Sequence, residues 1–354
     1  MVKVSVVILN WNGKKLLEQF LPAVLEHSLS DECRVIVADN GSTDESVAFI
    51  ETNFPEVSLI VLDKNYGFAE GYNKALQHID SEYVVLLNSD VETTPNWLNK
   101  MVDFMNKHPE VAAVQPKILS YDEKGWFEYA GASGGFIDLY GYPFCRGRIL
   151  EVVEKDNGQY DSEIPVFWAT GACMMIRKSD YTEHGGLDGR FFAHMEEIDL
   201  CWRLNARGRR VMCLPSSVVY HVGGASLKKD NPMKTYLNFR NNLLMIFKNV
   251  PGKACRPTFL VRLFFDILAY VHLLLQGNFR CAHAVIDAYR DFLKMMPSYK
   301  PVREVNLRMA TTENIPVQYR KSILLDFYFL RKKSYSSIFE KKDQSVTKTR
   351  KYQK

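Results

Sequence analysis

Apolar segments that suit β-strands alternate with segments of helical spacing along the first 115 residues, with a period of about 25–30 residues. The predicted strands are Val4–Leu9, Val35–Ala38, Val57–Leu62, Tyr83–Leu87 and Val111–Val114. The predicted helices between them are Lys14–His27, Asp44–Asn53, Gly67–Ile79 and one that begins at Pro95. A repeated strand–helix–strand series folds as a parallel sheet with right-handed crossovers. The sequence therefore predicts an α/β fold of the nucleotide-binding type.

The usual phosphate-binding motifs of such folds are missing from this sequence. No G-x-G-x-x-G follows the first strand, and no P-loop lysine motif occurs. If the fold binds a nucleoside diphosphate, another group must balance the negative charge of the phosphates. A divalent cation would supply that balance.

A candidate cation site follows the unbroken apolar run Tyr83–Leu87, which predicts a strand buried on both faces. The run ends at Asn88-Ser89-Asp90, and ligands of open α/β sheets bind at the carboxyl ends of strands. A carboxylate with a second oxygen ligand two residues earlier suits a hard divalent cation, although the same triplet is also typical of a turn. His221 ends another short strand. A lone histidine is more often structural, but beside Asp90 it becomes a candidate metal ligand.

Three acidic residues begin a predicted helix near position 196. Carboxylates favour the positive end of a helix dipole, so this effect alone explains one or two of them. Asp199 and Arg203 have the i,i+4 spacing of a pair on the helix surface. Glu196 and Glu197 point in different directions, so one of them is free to face a cleft while the other is structural.

Residues 116–165 differ in composition from the preceding sequence, because glycines are scattered among aromatic and charged residues. This composition predicts a long mobile segment beside a site. Strand-like sequence resumes over 165–176. Within it, Gly171 and Ala172 indicate either a close approach of a ligand to the backbone or a β-bulge.

The sequence becomes helical from Asn231 onward, and 258–276 is its most apolar window. Arg262 and Asp266 make insertion across a membrane unfavourable and share one helix face. The window therefore predicts an amphipathic helix that either lies on a membrane or packs on the α/β part of the chain, and packing is the favoured alternative. The tail, 331–354, has nine Lys or Arg and two Asp or Glu, a net charge of +7.

Seven scattered cysteines without a C-x-x-C pair fit a reducing compartment and argue against a zinc site or a disulfide framework. The apolar run at Val4–Leu9 is too short for a signal peptide. We therefore expect a cytoplasmic protein, and the basic tail and the apolar helix are candidates for contact with the inner face of the membrane. Because the basic charge belongs to the tail, no nucleic-acid partner is expected.

Several short motifs occur together and in a characteristic order. They are Val6-Val7-Ile8-Leu9-Asn10-Trp11-Asn12-Gly13, Asp39-Asn40-Gly41-Ser42-Thr43-Asp44, Asn65-Tyr66-Gly67-Phe68-Ala69-Glu70-Gly71-Tyr72-Asn73, Leu87-Asn88-Ser89-Asp90, Thr170-Gly171-Ala172, Glu196-Glu197-Ile198-Asp199-Leu200 and His221. In these motifs the chain resembles the family 2 glycosyltransferases of the GT-A fold. The resemblance covers about residues 3–225 and is strongest to bacterial enzymes of surface-polysaccharide synthesis, many of them rhamnosyltransferases.

The resemblance implies roles for individual residues. Asp39 would contact the nucleotide base, Asn10 and Trp11 would line the same pocket, and Gly67 and Asn73 would lie nearby. By the same resemblance, the remaining candidates for binding the nucleotide sugar are Asn88, Ser89, Gly171 and Ala172.

Asp90 resembles the last residue of the family's D-x-D motif, which binds Mg²⁺ or Mn²⁺, and His221 resembles a late metal-binding histidine. Glu197 occupies the position of the catalytic base. The chain departs from the pattern twice. Asn88 replaces the first aspartate of D-x-D, which implies weaker metal binding, and Glu197 replaces the usual aspartate, which leaves the choice between Glu196 and Glu197 less secure.

The resemblance predicts an inverting glycosyltransferase that moves a sugar from a nucleotide-diphosphate sugar to a hydroxyl of a glycan or lipid-linked glycan. It implies a GT-A catalytic domain at 1–230, with a nucleotide-binding half at 1–115 and an acceptor half at 116–230, then a helical region at 231–330 and the basic tail. Two alternatives remain at this point. One is a sugar-phosphate nucleotidyltransferase, and the other is a non-catalytic nucleotide-sugar-binding protein.

Overall fold

A computed structural model describes residues 2–223, 231–339 and 349–351. Within these ranges the strands are β1 (Val4–Asn10), β2 (Cys33–Asp39), β3 (Ser58–Val61), β4 (Tyr83–Asn88), β5 (Val91–Thr93), β6 (Val111–Ser120), β7 (Gly135–Ile137), β8 (Pro143–Cys145), β9 (Arg148–Ile149), β10 (Val152–Glu154), β11 (Ile164–Pro165), β12 (Cys173–Arg177), β13 (Arg210–His221) and β14 (Thr349–Lys351). The helices in the same ranges are α1 (Lys14–Ser28), α2 (Ser46–Asn53), α3 (Gly67–Leu76), α4 (Trp97–Lys107), α5 (Lys178–Glu183), α6 (Glu196–Ala206), α7 (Pro232–Asn249), α8 (Gly252–Leu275), α9 (Phe279–Met309), α10 (Ile323–Tyr328) and α11 (Tyr335–Phe339). The elements predicted for the first 115 residues are confirmed, with ends shifted by a few residues.

The central sheet has nine strands in the part of the chain that is described, in the order β11-β13-β6-β12-β4-β1-β2-β3, with β5 added beside β13. The strands β1, β2, β3 and β4 pair in parallel, as the strand–helix series predicts. β12 runs antiparallel between β4 and β6, so the sheet becomes mixed in its second half.

Both faces of this sheet are covered, which explains the unbroken apolar run of β4. Val84 and Leu86 belong to the hydrophobic cluster on one face, whereas Tyr83, Val85 and Leu87 belong to the cluster on the other. Successive side chains of a strand point to opposite faces, so a strand buried on both sides needs apolar residues at every position. The strand ends are thus held at one rigid edge, where polar side chains take over.

The prediction of a long mobile segment at 116–165 is wrong. β6 extends as far as Ser120, and β7, β8, β9 and β10 form a second sheet together with β14, five strands within the described ranges. Its aromatic residues form a core, because Phe136 and Phe144 stack on each other and on Phe339 of α11. The scattered glycines permit tight turns between these short strands, such as Gly147, whose φ is +112°.

The C-terminal helices pack against the catalytic body. α7 contacts both α6 and α9, and α8 contacts α9. Contrary to the usual arrangement of an amphipathic helix, α8 turns its charged residues Arg262 and Asp266 inward and leaves seven of its large apolar residues exposed. By length and composition alone, α8 is long and apolar enough to cross a membrane. Residues 340–348 and 352–354 of the basic tail lie outside the described residues.

Candidate active site

The predicted nucleotide-binding residues of β1 and β2 meet at one corner of the sheet. Asn10 and Asp39 are the last residues of these strands and lie directly opposite each other. Asn10 Nδ2 donates to Asp39 Oδ2 over 3.0 Å, and both side chains are buried. Trp11, the next residue in the chain, has 56% of its surface exposed. The corner therefore combines a buried carboxylate with an accessible indole ring on which a base can stack.

Short polar side chains tie together the loops that follow β1 and β2. Asp39 Oδ1 accepts from the backbone N–H of Ser42 over 2.8 Å, and Ser42 Oγ accepts from the N–H of Asn12 over 2.9 Å. Asn12 Oδ1 in turn accepts from the N–H of Thr43 over 2.7 Å. These bonds fix the rim of the corner.

Gly67 and Asn73 lie on α3, and both contact other segments of the protein. A Cβ on Gly67 would come within 2.7 Å of the carbonyl oxygen of Phe192, and its φ of +76° also favours glycine. Asn73 Nδ2 donates to the carbonyl of Leu187, and Asn73 Oδ1 accepts from the hydroxyl of Tyr181 and from the N–H of Leu187. Asn73 thus ties α3 to Tyr181 and Leu187.

The predicted metal ligands meet at the next corner. His221 Nε2 lies 3.1 Å from Asp90 Oδ1 and 3.3 Å from Asn88 Nδ2, and its Nδ1 lies 3.4 Å from Glu128 Oε2. Burial opposes protonation of His221, but the carboxylates of Asp90 and Glu128 prevail and raise its pKa to about 10. Sequence analysis missed Glu128, because the acid lies in the glycine-rich segment and no motif marks it.

A divalent cation fits the Asp90–His221 pair. Two neighbouring ligands of an octahedral ion, each at about 2.1 Å, lie about 3 Å apart, which matches the 3.1 Å between these two donor atoms. Across residues 2–223, 231–339 and 349–351, no group of three or more His, Cys, Asp or Glu side chains is arranged to hold a metal ion. The remaining ligands would therefore come from diphosphate and water, as is usual for Mg²⁺. His221 must lose its proton to bind a metal.

Ser89 joins the metal corner to the nucleotide corner. A Cβ on Gly13 would lie 3.8 Å from Ser89 Oγ and 2.3 Å from Asn10 Oδ1, so a glycine lets the loop after β1 approach both groups. Asn10 Oδ1 is buried and has no hydrogen-bond partner among the described residues. It is therefore an acceptor available to a donor group of a ligand at this junction.

At the start of α6, Glu196 is buried and Glu197 is half-buried, and the protein surroundings raise the pKa of both carboxyls. Burial, and next the charge of Glu197, raise the pKa of Glu196 well above its usual range. Burial also raises the pKa of Glu197 to about 7, with a partial offset from its own backbone amide and those of Ile198 and Gly171. The raised pKa means that Glu196 keeps its proton to a higher pH than an ordinary glutamate, whereas Glu197 is close to half ionised at neutral pH. A pKa near the working pH suits a general base.

The backbone at Gly171 and Ala172 connects the metal corner to the acidic pair. The carbonyl of Ala172 accepts from the N–H of Asn88 over 3.0 Å, and the amide of Gly171 acts on the Glu197 carboxyl. A Cβ on Gly171 would come within 3.0 Å of the Phe68 ring. The glycine is therefore explained by a close approach of protein to protein.

The prediction of a surface pair between Asp199 and Arg203 is wrong, because both side chains are buried. Arg203 Nη2 lies 3.0 Å from Asp199 Oδ2, which also lies 2.8 Å from Lys248 Nζ on α7. Lys248 Nζ reaches Asp188 Oδ2 as well, over 2.7 Å. Asn249 Nδ2 donates to Asp199 Oδ1 over 2.8 Å. The third acid of α6 thus anchors the helix to the C-terminal region.

A second anchor from α7 holds the segment that leads into α6. Three residues of that segment have positive φ values, namely Phe192 at +67°, His194 at +71° and Met195 at +74°. Asn241 is fully buried, and the two N–H groups of its Nδ2 are shared among three backbone carbonyls, those of Phe191, Ala193 and His194, at 2.8–2.9 Å. Non-glycine residues with positive φ are strained, so such bonds are needed to keep the acidic pair in place. Asn241 belongs to the helical segment Tyr236–Leu243, whose role the sequence did not reveal.

Comparison with known proteins identifies the family to which this chain belongs. The sequence profile described as Glycosyl transferase family 2 matches residues 5–185, about half of the chain. The protein belongs to glycosyltransferase family 2. A relative named N-acetylglucosaminyl-diphospho-decaprenol L-rhamnosyltransferase, from Mycobacterium tuberculosis, is 28% identical over 243 residues, which cover 64% of this chain and 78% of the relative.

Solved structures of glycosyltransferases share the GT-A fold. S. aureus TarS 1-349, in complex with UDP-GlcNAc, matches with a TM-score of 0.53 at 16% identity and covers 87% of this chain and 89% of that one. GalNAc-T7 with UDP, GalNAc and Mn²⁺ matches with a TM-score of 0.54 at 14% identity, over 70% of this chain and 48% of that one. The GT-A fold predicted from the sequence motifs is confirmed, and family membership decides against a nucleotidyltransferase.

Proposed function

We propose that this family 2 enzyme is an inverting glycosyltransferase that moves a deoxyhexose from a nucleotide-diphosphate sugar to a hydroxyl of a lipid-linked glycan. One observation carries the proposal. Glu197, with a pKa near neutrality, is joined through the backbone at Gly171 and Ala172 to the Asp90–His221 pair, which suits a divalent cation. The name of the mycobacterial relative supports rhamnose as the sugar and a diphosphate-linked lipid as the acceptor class.

The donor would bind along the three connected corners. We assign the base to the corner of Asp39 and Trp11, because a buried carboxylate accepts hydrogen bonds from a base and an exposed indole stacks on it. Asp90 and His221 would hold Mg²⁺ or Mn²⁺, with Asn88 and Ser89 beside the diphosphate. When bound, the cation neutralises the charge that develops on the leaving nucleoside diphosphate.

Glu197 would act on the acceptor. Its ionised carboxylate takes the proton of the acceptor hydroxyl as the oxygen attacks the anomeric carbon, and the bond from that carbon to the diphosphate breaks with its electron pair. The transition state resembles an oxocarbenium ion. A single displacement by one base inverts the anomeric configuration. Glu196 is the more deeply buried of the two acids and is not assigned as the base.

The test is release of nucleoside diphosphate from a panel of nucleotide sugars, with and without a synthetic N-acetylglucosaminyl-diphospho-lipid acceptor. We expect acceptor-dependent release from a deoxyhexose donor in the presence of Mn²⁺, and an inverted anomeric centre in the product. Binding of the nucleotide sugar without release would favour a non-catalytic binding protein. Release from a hexose donor alone, or retention of configuration, would contradict the proposal.

A lipid-linked acceptor lies at a membrane. We therefore place the enzyme in the cytoplasm at the inner face of the membrane, with a contribution from the basic tail at 331–354. Basic residues near an anionic surface contribute at most about 1 kcal/mol each.

A further inference from the structure

Helix α8 is attached to the protein through its charged residues. Arg262 Nη2 donates to Asp266 Oδ2 over 3.1 Å, and both side chains are buried. The hydroxyls of Tyr142 and Tyr289 donate to Asp266 over 3.0 and 2.7 Å. The guanidinium of Arg262 lies 3.9 Å from the centre of the Tyr142 ring. The polar face of this helix is therefore the docked face.

The opposite face of α8 is an exposed apolar stripe. Its members recur at helical spacing and are Leu260, Leu263, Phe264, Ile267, Leu268, Val271 and Leu275, with exposed fractions from 42% to 82%. At 1.5 Å per residue the stripe is about 22 Å long. Exposed apolar patches of this kind mark sites of interaction.

The stripe is bordered by positive charge. Between residues 252 and 286 the exposed ionised side chains are Lys253, Arg256 and Arg280, and the carboxylate in that range, Asp266, is buried. The helix thus presents apolar residues with a basic border and no exposed acid.

A second exposed apolar segment, at the end of α10, is attached to the loop 138–142, the same loop that supplies Tyr142 to α8. The N–H of Ile323, at the start of α10, donates to Asp138 Oδ2, and the N–H of Tyr142 donates to Asp138 Oδ1. The end of α10 and the residues after it, Tyr328, Phe329 and Leu330, are exposed, with Phe329 at 77%, and Arg331, Lys332 and Lys333 follow. Aromatic and basic residues are again adjacent.

We propose that the exposed stripe of α8 lies in the plane of an anionic lipid bilayer, with its leucines and phenylalanine among the acyl chains and its basic border at the headgroups. A spanning orientation would remove Arg262 and Asp266 from their tyrosine partners and place them in hydrocarbon. A second copy of this chain fits less well, because a two-fold contact would bring two identical basic borders together. The assignment refines the membrane placement in the proposed function, but vesicle binding does not require turnover.

The test uses the full chain and sedimentation with vesicles of phosphatidylglycerol and phosphatidylcholine in equal parts. The variant Leu260→Gln/Phe264→Gln/Leu268→Gln is expected to bind about tenfold to a hundredfold more weakly, because three inserted side chains are lost. Lys253→Gln/Arg256→Gln/Arg280→Gln should lose about tenfold on these vesicles and keep the weak binding of the native protein to phosphatidylcholine alone. Leu29→Gln/Val61→Gln, which removes exposed apolar groups elsewhere, is the control and should bind normally.

Three results would overturn the proposal. The first is unchanged vesicle binding of the α8 stripe variant. The second is loss of binding only when residues 340–354 are deleted, which would assign the membrane contact to the tail. The third is a native dimer without vesicle affinity that becomes monomeric in the stripe variant, which would make the stripe a subunit interface. Release of nucleoside diphosphate with a soluble acceptor, measured without vesicles, should be unchanged in all these variants if the proposed catalysis is correct.

Discussion

Replacing Glu197 by glutamine should stabilise the folded protein at alkaline pH while it removes turnover. Burial raises the pKa of this carboxyl from its usual 4.5 to about 7, so the folded protein retains a proton that the unfolded chain releases earlier. The stability that comes from this retained proton is complete below pH 4.5 and is lost as the pH rises through 7. A difference of about 2.5 pH units, at 1.36 kcal/mol each, amounts to about 3 kcal/mol.

Urea unfolding of the native protein and of Glu197→Gln measures this difference. The variant should be more stable by about 3 kcal/mol at about pH 8 and nearly equal at about pH 4, where the carboxyl is protonated in both states. Turnover of the variant should fall by about 10²–10⁴-fold, with nearly unchanged donor affinity. In the native enzyme, kcat should rise with pH up to about 7, because the base must be ionised.

Glu196→Gln is the matched control. It keeps the ionisable base, so turnover and the acid limb of the pH profile should persist. Equal stabilities of native and Glu197→Gln proteins at both pH values would show that this carboxyl is not held in a buried site with a raised pKa. An inactive Glu196→Gln beside an active Glu197→Gln would exchange the two roles.

Three further variants test the other parts of the site. Asp90→Ala should abolish Mn²⁺-dependent binding of a nucleoside diphosphate in calorimetry, and full native activity in excess chelator would contradict the metal role. Asp39→Ala should weaken nucleotide binding by about 1.5–3 kcal/mol with a smaller effect on kcat. Equal affinities of the native protein and the variant for the nucleotide in calorimetry would exclude a contact between Asp39 and the nucleotide base. Asn241→Ala removes the side-chain donor of the Ala193 and His194 carbonyls, while the Phe191 carbonyl keeps Arg240 Nη2. The variant should cost about 1–3 kcal/mol of unfolding free energy and lower kcat more than donor affinity. Its control is Asn238→Ala on the same helix, and a loss of stability without any change in kcat would limit Asn241 to a structural role.

Local patterns were sufficient to predict the strands and helices of the nucleotide-binding half. In β4, for example, the adjacent residues Val84 and Val85 are both apolar. Because adjacent side chains of a strand point to opposite faces, this pattern alone indicates that both faces are buried. The proximity of Asp90 and His221 was also predictable, since Asp90 follows the end of β4, His221 ends β13, and the carboxyl ends of parallel strands share one edge of a sheet.

Other features depend on contacts that no local pattern reveals. The spacing of Arg262 and Asp266 places both on one face of α8, but the tyrosines that turn this face inward come from β8's preceding loop and from α9. Glu128 reaches His221 from a segment whose glycines suggest mobility. The aromatic core of that segment is completed by α11, about 200 residues later, and no local pattern reveals so distant a contact.

The link from Lys248 to Asp188 and Asp199 has a consequence for synthesis of the chain on the ribosome. β13 ends at His221, so every strand of the central sheet is made before Lys248 is added. Until then, Asp188 and Asp199 lack the ammonium group of Lys248. A buried carboxylate without its full set of partners raises the free energy of the folded state. We therefore expect the acidic pair on α6 to reach its final position only when α7 docks. A nascent chain halted after the sheet would contain every predicted catalytic residue and still lack a working active site.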